Sequence, residues 1–114
     1  MSDCLFCRIG KRELPAKIVF EDALSLAFDD ITPQAPHHVL VIPRAHFATL
    51  DDVPASEAPL LGHLVTIAAR IARERGLAAD GYRLVANCRA GAGQSVFHVH
   101  LHLLGGRSFH WPPG

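Results

Sequence analysis

The run Phe97-His98-Val99-His100-Leu101-His102-Leu103-Leu104 alternates imidazoles with apolar side chains. Successive side chains of an extended strand point to opposite faces, so a strand here carries three histidines on one face. Val99, Leu101 and Leu103 then anchor the other face in a core. This confines the chain to a sheet that is buried on one side and chemically equipped on the other. With a rise of about 3.3 Å per residue, neighbouring imidazoles are expected about 7 Å apart. One reactive ring between two orienting groups fits that spacing.

Three readings compete for the triplet. A neutral imidazole can ligate a metal, transfer protons near neutral pH or attack phosphorus as a nucleophile. His-x-His on a strand can also supply two ligands of a tetrahedral zinc site. The third reading is a plain polar face, although solvated strand faces favour Lys, Glu and Thr over consecutive histidines. Upstream lies Asn87-Cys88-Arg89-Ala90-Gly91-Ala92-Gly93-Gln94-Ser95, whose glycines allow a tight backbone path. Its amides suit an anionic group such as phosphate, and equally a connection between two strands. Ser95 stands two residues before Phe97, where its hydroxyl can serve a leaving group as proton donor.

The rest of the chain reads as an α+β domain spanning residues 1–114. At 114 residues there is room for one core and no second domain. Short strands are expected at 18–21, 25–29, 38–42 and 82–87, with the histidine run as the fifth. Leu60, Leu61, Leu64, Ile67, Ala68 and Ile71 recur at helical spacing, which predicts one main helix over about residues 55–75, stopped by Gly76. A short N-terminal helical turn is expected between Asp3 and Gly10. The sheet is antiparallel, since strands precede and follow one helix rather than alternate with helices.

Composition excludes some partners. Eleven basic and eleven acidic residues cancel, so nothing in the charge balance points to nucleic acid or a membrane surface. No apolar run approaches the roughly 20 residues that span a bilayer, and Met1-Ser2-Asp3-Cys4 lacks a charged leader. With three cysteines, an odd number, a reducing cytoplasm is the expected compartment.

The segment Val96-Phe97-His98-Val99-His100-Leu101-His102-Leu103-Leu104-Gly105-Gly106-Arg107 resembles the signature of the histidine triad (HIT) superfamily. Ile31-Thr32-Pro33-Gln34-Ala35-Pro36-His37, Val41-Ile42-Pro43-Arg44-Ala45-His46 and the ending His110-Trp111-Pro112-Pro113-Gly114 resemble its nucleotide-binding Hint branch. The likeness runs from about Cys4 to the last residue. It implies a HIT fold: a five-stranded antiparallel sheet, one main helix and a short N-terminal helix. It also implies a homodimer in which two sheets join into one continuous ten-stranded sheet. Trp111 would then reach the site of the other subunit.

The resemblance further implies a purine nucleoside phosphoramidate hydrolase, acting on AMP-amine conjugates through a covalent nucleotidyl-histidine intermediate. His100 would be the nucleophile and His102 would contact phosphate oxygens, together with the backbone of the Gly93-Gln94-Ser95 loop and Asn87. His98 and His46 would orient the triad, while Ser95 would assist departure of the amine. Asp30 would grip the ribose hydroxyls, and Phe6, Ile9, Leu14, Phe28 and Ile31 would form the purine slot. His37, His38 and His63 receive no role.

Cys4-Leu5-Phe6-Cys7 is a Cys-x-x-Cys pair, half of a tetrahedral site. His46 and His98 complete it if the N-terminal turn packs beside the triad, and some proteins of this family with such a pair carry a structural zinc. The alternative is two reduced thiols buried as small hydrophobes. Two further functions stay open: hydrolysis of dinucleoside polyphosphates, and a zinc-containing nucleotide-binding or interaction module without turnover.

Overall fold

Two apolar stripes on opposite faces of one sheet organise the molecule. The computed structural model describes residues 3–114; Met1 and Ser2, on which the expectation about a leader falls, lie outside the described residues. The strands are β1 (Ile18–Glu21), β2 (Ser25–Asp29), β3 (His37–Pro43), β4 (Tyr82–Val85) and β5 (Leu101–Gly105). They form one sheet in the order β1-β2-β3-β5-β4, with every neighbouring pair antiparallel. The helices are α1 (Leu5–Gly10) and α2 (Ala58–Glu74), the latter entered through a 3-10 turn at Ala55–Glu57.

Pleating sorts the side chains. Val39 and Val41 of β3, Ala27 of β2 and Leu103 of β5 face α2, where they pack with Leu64, Ile67, Ala68 and Ile71. Leu40 and Ile42 of β3 and Leu26 and Phe28 of β2 face the other way and pack with Phe6 and Ile9 of α1. Burying such a stripe contributes about 25 cal/mol per Å² of apolar area, which is what holds a six-residue helix that would not persist alone. Cys4 caps α1, its Sγ accepting the Cys7 N–H at 3.4 Å.

The histidine run departs from the expected strand. β5 begins only at Leu101, and residues 96–100 approach it as bends and irregular backbone. Pro43 closes β3 and has no N–H with which to extend the ladder. The Val99 N–H donates instead to the Phe47 carbonyl at 2.7 Å. The rings of His100 and His102 therefore lie 4.9 Å apart, centroid to centroid, closer than strand spacing predicts.

Candidate active site

The α1 face of the sheet carries a cavity of about 400 Å³. His100 and His102 form one side of it; Phe6, Ile9, Leu14, Phe28 and Leu40 form an apolar wall, with Asp30, Ile31 and Ser95 also lining it. The placement follows from register. Phe28 pairs with Leu40 and Leu40 with His102, so pleating puts all three on this face. His38 lies two residues before Leu40 and shares the face, diagonal to His102.

Hydrogen bonds fix the proton on each ring. His100 Nδ1 lies 2.7 Å from the His98 carbonyl oxygen, which can only accept, so Nδ1 carries the proton and Nε2 keeps its lone pair. The Gln34 N–H donates to His38 Nδ1 at 3.0 Å, so His38 is protonated at Nε2 and donates to His102 Nδ1 at 2.9 Å. His102 is thereby left with an Nε2–H donor. A nucleophilic nitrogen and a donor thus stand on adjacent rings beside an apolar slot, an arrangement suited to displacement at a phosphorus centre.

This relay requires neutral imidazoles. Burial, aided by the charges of His100 and His38, pushes the His102 pKa down to about 4 from 6.5, against a small opposing effect of Asp30. Burial also lowers that of His38, which Asp30, with Oδ2 3.5 Å from Nε2, partly offsets. A histidine whose folded pKa is depressed stabilises the fold fully above 6.5 and loses that contribution as pH falls toward the folded value. The melting temperature is therefore expected to drop steadily as pH is lowered from 6.5 toward 4, measured by circular dichroism. A flat or rising profile in that window would contradict neutral buried rings.

A second cluster adjoins the first. Cys4 Sγ, Cys7 Sγ, His46 and His98 offer donor atoms that all lie within 4.8 Å of one another. His98 is fully buried, and its Nε2–H donates to the Pro43 carbonyl at 2.8 Å, which turns a bare Nδ1 toward the sulfurs. Burial, outweighing the bond to Pro43, lowers its pKa and favours the neutral, ligating form. His98 Nδ1 lies 3.1 Å from His46 Nδ1, 3.4 Å from Cys4 Sγ and 3.5 Å from Cys7 Sγ; Cys7 Sγ lies 3.4 Å from His46 Nδ1. Tetrahedral zinc, with bonds of about 2.0–2.1 Å to nitrogen and about 2.3 Å to sulfur, requires N···N near 3.4 Å and N···S near 3.6 Å. The four residues fit that ion. Asp30, His38 and His102 also approach one another, but the proton on His38 Nε2 stands where a ligand lone pair would be needed.

Other sequence-predicted residues fall outside these clusters or play different parts. Gln94 is buried and turned inward: Nε2 donates to the Ala48 and Val96 carbonyls, and Oε1 accepts the Arg89 N–H at 2.6 Å. Its side chain braces the loop whose backbone the resemblance sets against a phosphate. The same bond holds Arg89 at φ 72°, a left-handed conformation that favours glycine. Asn87 and Gly93 do not line the cavity. Ile31 does, but at 92% exposure it forms a rim and not a slot wall. Trp111 is exposed and away from the cavity.

The histidines without an assigned role have partners, His37 with Arg75 among them. His38 belongs to the site, as described, and the signal that identifies it is its parity with Leu40 once β3 is paired with β5. The Nε2–H of His63 donates to Asp22 Oδ2 at 2.7 Å.

Comparison with known proteins is consistent with this geometry. The HIT domain family model matches residues 11–109. An HIT-like protein of Synechococcus elongatus is 52% identical over 112 residues, covering 98% of this chain and 97% of that one. The purine nucleoside phosphoramidase of Escherichia coli is 49% identical over 105 residues, covering 92% and 88%. The crystal structure of a HIT family hydrolase from Legionella pneumophila superposes with a TM-score of 0.96 at 53% identity, covering 98% of this chain and all of that one.

Proposed function

The chain belongs to the HIT family and is a hydrolase, and on that premise we propose that it cleaves the P–N bond of purine nucleoside phosphoramidates, releasing a nucleoside monophosphate and an amine. The observation that carries this reading is the His100 ring: Nδ1 is spent on the His98 carbonyl, and the ring lines the apolar cavity with its Nε2 lone pair unspent. The 49% identity to a purine nucleoside phosphoramidase supports the same substrate class.

The purine lies against Phe6, Ile9, Leu14 and Phe28, and Asp30 accepts from the ribose hydroxyls. One Asp30 oxygen already accepts the Thr32 N–H at 2.8 Å and its hydroxyl at 3.1 Å, which fixes the carboxylate at the cavity edge. His100 Nε2 attacks the α-phosphorus, forming an N–P bond as the P–N bond to the amine breaks. Ser95 supplies a proton to the departing nitrogen, and His102 Nε2–H donates to a phosphate oxygen as negative charge builds. Water then hydrolyses the nucleotidyl-imidazole, giving up a proton that restores the Ser95 hydroxyl as the P–N bond to His100 breaks, and returns His100 to its starting tautomer.

Amine release from adenosine 5′-monophosphoramidate, with AMP identified by mass, tests the reading. Steady turnover supports it; AMP binding without any turnover of this substrate overturns it in favour of a binding module or of polyphosphate substrates.

Zinc at Cys4, Cys7, His46 and His98 is part of the proposal, as a structural ion with thiolate and imidazole ligands. Elemental analysis of untagged protein is expected to give close to one zinc per chain, falling to near zero in a Cys4→Ser, Cys7→Ser variant. Stoichiometric zinc in that variant would refute the ligand set. A homodimer is proposed as well, with an edge strand of each sheet pairing with the other and Trp111 contributing in trans. Thiol ligands suit a reducing, cytoplasmic setting.

A further inference from the structure

The Cys-x-x-Cys turn has a second neighbour besides the two histidines. Between its cysteines stands Phe6, whose ring lies edge-on 5.1 Å from His100, 6.1 Å from His98 and 5.4 Å from Phe28. Leu5, Phe6 and Ile9 of α1 all line the nucleotide cavity. The segment that carries two of the four metal donors is therefore also a wall of the substrate slot.

His98 makes a second link. Its side chain offers Nδ1 to the sulfurs and His46, while its backbone carbonyl accepts the His100 Nδ1–H at 2.7 Å. One residue thus joins the donor cluster at one end to the reactive ring at the other. Nothing in the sheet ladder fixes this segment, since β5 begins only at Leu101. Nor is α1 self-sufficient at six residues.

We infer that the metal centre is the latch of the nucleotide site: a zinc ion held by Cys4, Cys7, His46 and His98 seats Phe6 against the slot and fixes the His98 carbonyl that orients His100. The inference rests on the proposed metal and nucleotide readings and goes beyond both, because it makes ligand affinity depend on the state of a centre that touches no substrate. His46 and His98 are positioning residues in this scheme. The short connections leave little slack: Cys4 and Cys7 bracket Phe6, and His98 lies two residues from His100.

The test compares zinc-loaded wild type, the same protein stripped by a chelator, and the stripped protein with zinc restored. AMP affinity is measured by calorimetry, and backbone hydrogen exchange is followed over residues 5–10 and 98–100. Stripping is expected to weaken AMP binding at least tenfold and to speed exchange in both segments, while exchange in β2 and β3 stays slow; zinc reverses all of it. The Cys4→Ser, Cys7→Ser variant is expected to behave as stripped protein without chelator. If that variant does not fold, the stripped wild type alone decides.

If the ion were merely structural, stripping it would lower the melting temperature and leave AMP affinity and exchange at 98–100 unchanged; that result overturns the latch while leaving zinc binding intact. Absence of zinc from the purified protein, with cysteine substitution changing neither readout, overturns latch and metal together. Failure of loaded protein to bind AMP would count against the nucleotide reading, and unchanged exchange in the same samples would count separately against the latch.

Discussion

His100→Ala is expected to reduce phosphoramidate turnover by at least about 10⁴-fold while AMP affinity changes by no more than about threefold. On the proposed mechanism, losing the nucleophile removes the covalent route, so the effect falls on kcat and not on binding. AMP binding should survive because the apolar wall of Phe6, Ile9, Leu14 and Phe28 and the Asp30 carboxylate are untouched. The alanine does vacate space beside Phe6, whose ring lies 5.1 Å from that of His100. His100→Asn controls for this, since its amide can still donate to the His98 carbonyl but offers no nucleophilic nitrogen. Both variants should be inactive in single-turnover assays monitored for labelled nucleotide on the protein, and wild type alone should accumulate label. Measurable turnover in either variant would remove His100 from the nucleophile role.

The parts of the site that were legible beforehand are those set by periodicity. The apolar run Val39 to Ile42, ended by Pro43, announces a strand, and the Leu60 to Ile71 stripe announces the main helix. Both lie where periodicity predicts, and the HIT resemblance agrees with the matched domain model. The triad was legible as a group of rings but not as a strand. Alternation over Phe97 to Leu103 is satisfied equally by regular β structure and by a kinked approach, and only the Pro43 ending of β3 and the Val99 bond to Phe47 distinguish them. The Gln94 amide could face a ligand or the loop interior as far as composition goes. The carbonyls of Ala48 and Val96 decide it, and one of these lies 46 residues away in sequence. Contacts of that range are set by tertiary packing and leave no local pattern.

His38 illustrates the same limit with the largest functional consequence after His100. Next to His37 in the sequence it is one of two adjacent histidines with nothing to separate them. In the fold their side chains lie on opposite faces: the Arg75 guanidinium approaches His37 Nδ1 at 3.4 Å, whereas His38 is buried and bonds to His102 at 2.9 Å. Because the Gln34 N–H occupies His38 Nδ1, the only proton His38 can offer goes to His102 Nδ1, and this selects the tautomer that presents Nε2–H to the cavity. His38→Leu keeps the volume and removes the relay. His102 can then protonate at either nitrogen, and the Gln34 N–H loses its acceptor. Turnover is expected to fall about 10²-fold, mainly in kcat, with AMP affinity little altered. His38→Gln should recover much of that loss, because one amide supplies both an acceptor for Gln34 and a donor for His102. The pair of variants separates tautomer control from simple packing: equal activity of the two, at any level, would mean that the His38 side chain merely fills space.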